Sequence, residues 1–497
     1  MRRFPAALLA IAALGALGLA LTSRGDRDRA QRDGAGPRTA NTATASVTPL
    51  PRLRSVDTSA GRSPVARCRL RGSAQGGRGA VSIDSEVEPF VAAHPRRGRR
   101  LVGVYQQDRF ADGQARAIGV VASRDGGRSW RRSLLPFSRC ARRDAASTRI
   151  GDPWISIGPD GTAYAIAAGS TIVAAASHDG ARRWGAAGVI ERSTSRFFLD
   201  KPSITADPEH RGIAFAVWLR WWRIRGAPPT TFDAMLATTR DFGRSWSRPH
   251  VLVRHTRSGG AASSQILADP RRGTLYHLAD WEEGGLPSRA TPARILLQRS
   301  RDGGRTWSRA ATVARVRTRG YRPLGSSGVF VRTAVENADF ALDPGSGALY
   351  AVWQDGRFSR YRADGLALSR SLDGGRTWSR PRRVDAAGAA TAAVPSVATD
   401  DRGRVAVSYY VLRPAGGVAR ARFVVAVSRD GGRRFATAAA TGETSLAHAP
   451  WVFSTSGARG AFLGDYTGLA GAGSGFVVLY SLPGVDPADV MFAAVRG

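Results

Sequence analysis

The sequence predicts an all-β protein, a β-propeller of four-stranded antiparallel blades. Three observations predict it. An octapeptide recurs six times, starting at residues 123, 177, 239, 300, 371 and 428, so that copies lie 54 to 71 residues apart. A strand–turn–strand unit precedes each copy and occurs once more after the last. The composition, with 58 Gly and 26 Pro among 497 residues, suits a chain that turns often. A period of this size is one four-stranded blade with its loops.

The octapeptides read Ser123-Arg-Asp-Gly-Gly-Arg-Ser-Trp130, Ser177-His-Asp-Gly-Ala-Arg-Arg-Trp184 and Thr239-Arg-Asp-Phe-Gly-Arg-Ser-Trp246. They continue as Ser300-Arg-Asp-Gly-Gly-Arg-Thr-Trp307, Ser371-Leu-Asp-Gly-Gly-Arg-Thr-Trp378 and Ser428-Arg-Asp-Gly-Gly-Arg-Arg-Phe435. The carboxylates of Asp125, Asp179, Asp241, Asp302, Asp373 and Asp430 can accept hydrogen bonds from amides of their own tight turns, and Gly supplies positive φ. The closing Trp or Phe starts the next strand and can wedge between sheets.

The second repeat begins at Glu88-Pro-Phe, Asp152-Pro-Trp, Asp200-Lys-Pro, Gln265-Ile-Leu, Asn337-Ala-Asp, Pro395-Ser-Val and Phe462-Leu-Gly. Seven such pairs against six octapeptides predict seven blades, with six as the alternative. The last unit lacks a fourth strand. Val81-Ser-Ile83 stands where an N-terminal strand would supply it and close the ring.

The N-terminus reads as an export signal over residues 1–22. Arg2 and Arg3 precede an apolar stretch, Ala6 to Leu21, shorter than the roughly 20 residues of a spanning helix. Residues 23–78 lack apolar periodicity and read as a disordered linker carrying Cys68. The propeller is expected over 79–497. Cys68 and Cys140 are either a disulfide clipping the N-terminal segment to the first blade or two unpaired thiols, and export favours the disulfide.

The formal net charge is +34, and Lys201 is the only lysine among 73 Lys and Arg. A positive field favours a glycan or other anionic polymer as partner. No recognition helix or aromatic RNA-binding signature accompanies it, which argues against nucleic acid. Seven His without ligand spacing predict no metal and no cofactor. After removal of the signal no membrane span is expected, and the protein is read as a secreted or cell-surface monomer.

The octapeptides resemble the Asp-box, or bacterial neuraminidase repeat, of the sialidase-like propellers, over roughly residues 80 to 497. The resemblance implies boxes on the hairpin between third and fourth strands, away from the active site, and therefore structural. It further implies an exo-α-sialidase, with an arginine cluster for the substrate carboxylate, a Tyr nucleophile with a carboxylate partner, and a carboxylic acid. Strand direction gathers candidates on the opposite face. Arg109, Arg220 and Arg357 could bind the carboxylate; Tyr466, beside Asp465, could be the nucleophile, Glu336 its partner, and Asp152 or Asp200 the acid. Trp222 and Trp281 could stack on sugar or pack between blades. The Arg-Ile-Pro-type motif of sialidases is absent, which leaves a second reading: a non-catalytic propeller binding an anionic polysaccharide, cell-wall polymer or protein partner.

Overall fold

The computed structural model describes residues 48–49, 52–70, 80–223, 231–257, 259–283, 293–320, 323–324, 328–335, 337–453, 459–484 and 486–496. Within these the protein is all-β apart from one 3-10 turn at Gly356–Ser359. The export signal expected at 1–22, and 23–47 of the linker, lie outside the described residues.

The repeating unit is an antiparallel set of four strands laid down in chain order. In the third set Phe197–Ala206, Ala214–Trp222, Phe232–Thr239 and His250–Val253 pair in sequence. The first and second sets are fused into one eight-stranded sheet by a single pair, Ala115 with Ile150. The first strand of each set faces the middle of the molecule. These strands are Glu86–His94, Ile150–Ile157, Phe197–Ala206, Gly259–Asp269, Asp339–Leu342, Thr391–Thr399 and Gly468–Gly471. Each touches the next in that order, and the last touches the first.

Alternating strand residues point into the gaps between neighbouring sheets, so the core is a series of such gaps rather than one central mass. Val104, Ile118, Phe137, Ile155 and Ala165 fill the first. Val91, Leu101, Leu479 and Phe492 fill the gap between the last set and the first. There the Trp130 ring at the end of the first octapeptide meets Phe492 edge-on at 5.0 Å.

The octapeptides sit on the hairpins between third and fourth strands, and their Asp side chains are spent on their own turns. Asp125 accepts from Arg128 N at 2.9 Å, Ser129 N at 3.0 Å, Ser129 Oγ at 2.6 Å and Ser123 Oγ at 2.8 Å. Asp302 and Asp373 repeat most of this pattern. Ala181 occupies a position that is glycine in the other copies and takes φ +61°, a cost the turn carries because the methyl is fully buried. Arginines then lace one set to the next: Arg124 donates to Asp179 O at 3.0 Å, Arg299 to Gly374 O at 2.6 Å and Arg370 to Gly431 O at 2.7 Å.

Two expectations for the N-terminal segment are corrected. The strand that completes the last set is Ser55–Asp57, antiparallel to Asp489–Arg496 with Val56 opposite Phe492. Val81 instead bridges to Phe110 of the first set. Three residues carry too little periodicity to read as a strand from sequence; in the structure Ser55 Oγ reaches both Ala440 O and Tyr480 Oη at 2.7 Å. The linker therefore does not run disordered to residue 78. Thr58 N donates to Val490 O at 2.9 Å, and Cys68 is disulfide-bonded to Cys140.

Candidate functional site

Four of the inner strands share a local device at the end opposite the octapeptides. Glu88, Asp152, Lys201 and Val394 each precede a proline and each has positive φ, at 54°, 50°, 43° and 53°. Pairing slips at all four places. Proline cannot donate to the ladder, and a side chain in this region before proline is strained by about 1–3 kcal/mol. Such bulges re-aim side chains. In three of the four the re-aimed side chain is ionisable, and all three lie in one cluster at the middle of the molecule.

Asp465 is the hub of that cluster. Arg332 holds both its oxygens, Nε on Oδ1 and Nη2 on Oδ2 at 2.5 Å each. Lys201 Nζ lies 3.7 Å from Oδ2 and donates to Asn337 Oδ1 at 3.0 Å, while Asn337 Nδ2 donates to Asp465 O at 3.0 Å. Asp465 N donates to Glu88 Oε1 at 3.2 Å. Gln106 Nε2 donates to Glu88 Oε2, and Gln106 Oε1 accepts from Arg109 Nη1 at 2.9 Å. Arg109 is buried with its guanidinium 3.9 Å from the centre of the Phe462 ring.

The carboxyl groups of the cluster do not share one protonation state. Asp465 is held far below the ordinary aspartate range: burial opposes this, but Arg332, Lys201 and Arg109 outweigh it. Glu88 is pushed well above the usual range by burial first and by Asp152 and Asp465 next. Asp200 is pushed up to about 8, again by burial first, then by the charge of Asp152, to which it is hydrogen-bonded. Burial and neighbouring charge thus favour the protonated form of Glu88 and Asp200, and the ionised form of Asp465. Divergent carboxylates in one site are the arrangement that acid–base chemistry uses.

Tyr466 lies at the wall of the same cluster. Its ring sits 5.4 Å from Trp154 and 6.3 Å from Phe90, which stack on each other. Its hydroxyl donates to Pro153 O at 2.8 Å, and burial first, then the charges of Glu88 and Asp152, push its pKa well above the usual tyrosine range. A cavity opens beside it, lined by Trp154, Lys201, Ser263, Asn337, Asp465 and Tyr466 among others.

Of the residues expected here, the structure brings together Tyr466, Asp465, Asp152, Asp200 and Arg109. Arg220 is elsewhere, paired with Glu191, which also accepts from Trp218 Nε1 at 2.7 Å. Arg357 pairs with Asp355 at 2.7 Å. Trp222 donates to Asp233 at 2.9 Å beside Phe197, and Trp281 is buried. All four lie at or just beyond the ends of second strands, where Glu191, Asp355 and Asp233 take up Arg220, Arg357 and Trp222. Glu336 lies outside the described residues. Arg332 was missed because it belongs to neither repeat. Lys201 and Glu88 were noted among the first residues of inner strands without a role; their X-Pro context was the signal that could have singled them out. The six octapeptide Asp residues stand at the other end of the sheets.

No family model matches the sequence, and no curated protein matches it. Solved structures that resemble it include the Hadza microbial sialidase Hz136, at 16% identity and TM-score 0.41, covering 83% of this chain and 66% of that one. A Penicillium chrysogenum α-L-arabinanase in complex with arabinobiose is 13% identical with TM-score 0.45, over 72% of this chain and 93% of that one. A leech intramolecular trans-sialidase is 12% identical with TM-score 0.38, over 83% and 68%. The chain spans about two thirds of the length of both sialidase structures.

Proposed function

We propose that the protein is a secreted, seven-bladed propeller whose central cluster hydrolyses glycans bearing an acidic sugar, in the manner of an exo-α-sialidase. The closed succession of inner strands and the completion of the last set by Ser55–Asp57 support the blade count. The observation that carries the chemistry is the imbalance inside the cluster. Three cations, Arg109, Lys201 and Arg332, share the cluster with four carboxyl groups, and in two of these, Glu88 and Asp200, burial favours the neutral form. An anionic substituent is welcome in such a site.

In this reading Asp200 protonates the leaving oxygen, with Asp152 as the partner that keeps its proton available. Ionised Asp465 faces the positive charge that develops on the sugar ring in an oxocarbenium-like transition state; water adds to the anomeric carbon and its proton returns to the Asp200 carboxylate. Glu88, Gln106 and Arg109 form the floor that fixes Asp465. Tyr466 walls the cavity; to act as nucleophile its hydroxyl would have to leave Pro153 O and lose a proton that its surroundings hold tightly.

Turnover of a fluorogenic α-sialoside, set beside uncharged glycosides, tests the reading. Release that is selective for the acidic sugar and lost in Asp200→Asn is expected. Equal indifference to every glycoside overturns it in favour of a propeller that only binds.

A further inference from the structure

The six octapeptides carry a feature that their turn geometry does not need. The sixth position is arginine in every copy: Arg128, Arg182, Arg244, Arg305, Arg376 and Arg433. All six are exposed. The turns use their backbone, since Arg128, Arg182, Arg305 and Arg433 donate N–H to the octapeptide Asp and Arg244 donates to Asp241 O. The guanidinium groups take no part in these bonds. Only Arg376 turns back, onto Asp373 O at 3.3 Å. Arginines elsewhere on these hairpins have structural work, as Arg124 and Arg370 do in lacing neighbouring sets.

All six copies sit where third strands end, which is one end of the molecule, because every set runs its four strands in the same alternation. Each octapeptide Asp stays ionised, stabilised by hydrogen bonds from its own turn as Asp125 and Asp302 are, and offsets part of the charge of the arginines beside it. The turns joining first to second strands meet the same end and add exposed Arg96, Arg97, Arg211, Arg271 and Arg402 against exposed Asp160, Glu209 and Asp401. The result is one broad face of outward guanidinium groups. Leu372 is its one large apolar side chain more than half exposed among the described residues, at 62%.

We propose that this face docks on an anionic lipid surface, lying flat, with the central cavity turned away from the membrane. A ring of like charges that all point one way can engage a plane at once, whereas a single polymer strand crossing the face reaches only part of the ring. Guanidinium groups suit phosphate oxygens, to which they donate in pairs. Near an anionic bilayer each basic side chain adds about a fivefold gain in partitioning, additive over the patch and screened by salt. With little exposed apolar surface the attachment is electrostatic and reversible. The proposal stands independently of the reaction assigned to the central cluster.

The test is co-sedimentation of the purified protein with vesicles of phosphatidylglycerol in phosphatidylcholine. Three proteins are compared: the native one, one with the six sixth-position arginines changed to Gln, and one of equal net charge changed to Gln at Arg192, Arg196, Arg254, Arg257, Arg315 and Arg362 at the other end. Matching thermal melts establish that all three are folded. The native protein should pellet with anionic vesicles and stay free of pure phosphatidylcholine. The first variant should lose at least a hundredfold in partitioning and the second much less. Equal losses in both variants would show that net charge alone is responsible and overturn the assignment. So would failure of the native protein to bind, or capture by a soluble polyuronate at concentrations where vesicles do not pellet it.

Discussion

Arg332 reaches across 133 positions of the chain to grip both carboxylate oxygens of Asp465, each at 2.5 Å. The pair is mostly buried, with side-chain exposures of 24% and 8%. Removing one member of such a pair strands the other charge, at a cost of about 3–5 kcal/mol. Arg332→Met should therefore lower the urea midpoint markedly, and Arg332→Met with Asp465→Leu should recover part of the loss. If the double variant is as unstable as the single one, the pair does not account for the effect.

As the proposed acid, Asp200 should set a pH limit on activity. Its proton is held up to about 8, so the acid form prevails below that value and is lost as pH rises through it. kcat should fall on the alkaline side with that midpoint. Asp200→Asn should remove the limb and slow turnover by about 10²–10⁴. An alkaline limb that survives the substitution assigns the proton elsewhere.

Tyr466→Phe separates two kinds of catalysis. With its hydroxyl on Pro153 O, Tyr466 serves the cavity wall, and turnover should stay within about tenfold of native. A collapse of turnover with unchanged thermal melting would make it the nucleophile, as the resemblance to sialidases first implied.

Glu86 gives stability its own pH dependence. Burial raises its carboxyl from 4.5 to about 9, against the opposing effect of the hydrogen bond it accepts from Gln107. The folded form thus gains from a bound proton; that gain is whole below about 4.5 and disappears as pH rises to about 9. Glu86→Gln should melt higher than the native protein at pH 9 and flatten the decline between pH 5 and 9. Parallel curves for the two proteins would refute this.

The N-terminal strand should be separable from what precedes it. A chain starting at residue 44 should melt like the full protein, whereas one starting at residue 59 leaves Asp489–Arg496 as an open edge and should aggregate. Changing Cys68 and Cys140 to Ser opens a link 72 residues apart in sequence and should cost up to about 4 kcal/mol by loop entropy. The two effects are read by light scattering and by urea titration.

The repeats were legible because they are local. A Ser-x-Asp-Gly-Gly turn makes its hydrogen bonds within five residues, so its pattern survives in the sequence whatever the rest of the chain does. The first strands of the sets were legible for the same reason, through the strand–turn–strand unit that recurs ahead of each octapeptide. Ser55–Asp57 was not, because its pairing depends on a strand more than four hundred residues away.

For the site, sequence order alone was enough to place Asp152, Asp200, Asp465 and Tyr466 at one end of the sheets, since strand direction follows from counting strands. It could not choose among arginines, which are abundant everywhere. Arg220 and Arg357 find carboxylates close by at the rim, while Arg332 reaches the centre from a stretch with no repeat signal. Tertiary structure also decided protonation. Burial and neighbouring charge, neither visible in a one-dimensional pattern, leave Asp465 ionised and Asp200 protonated although the two side chains are chemically identical.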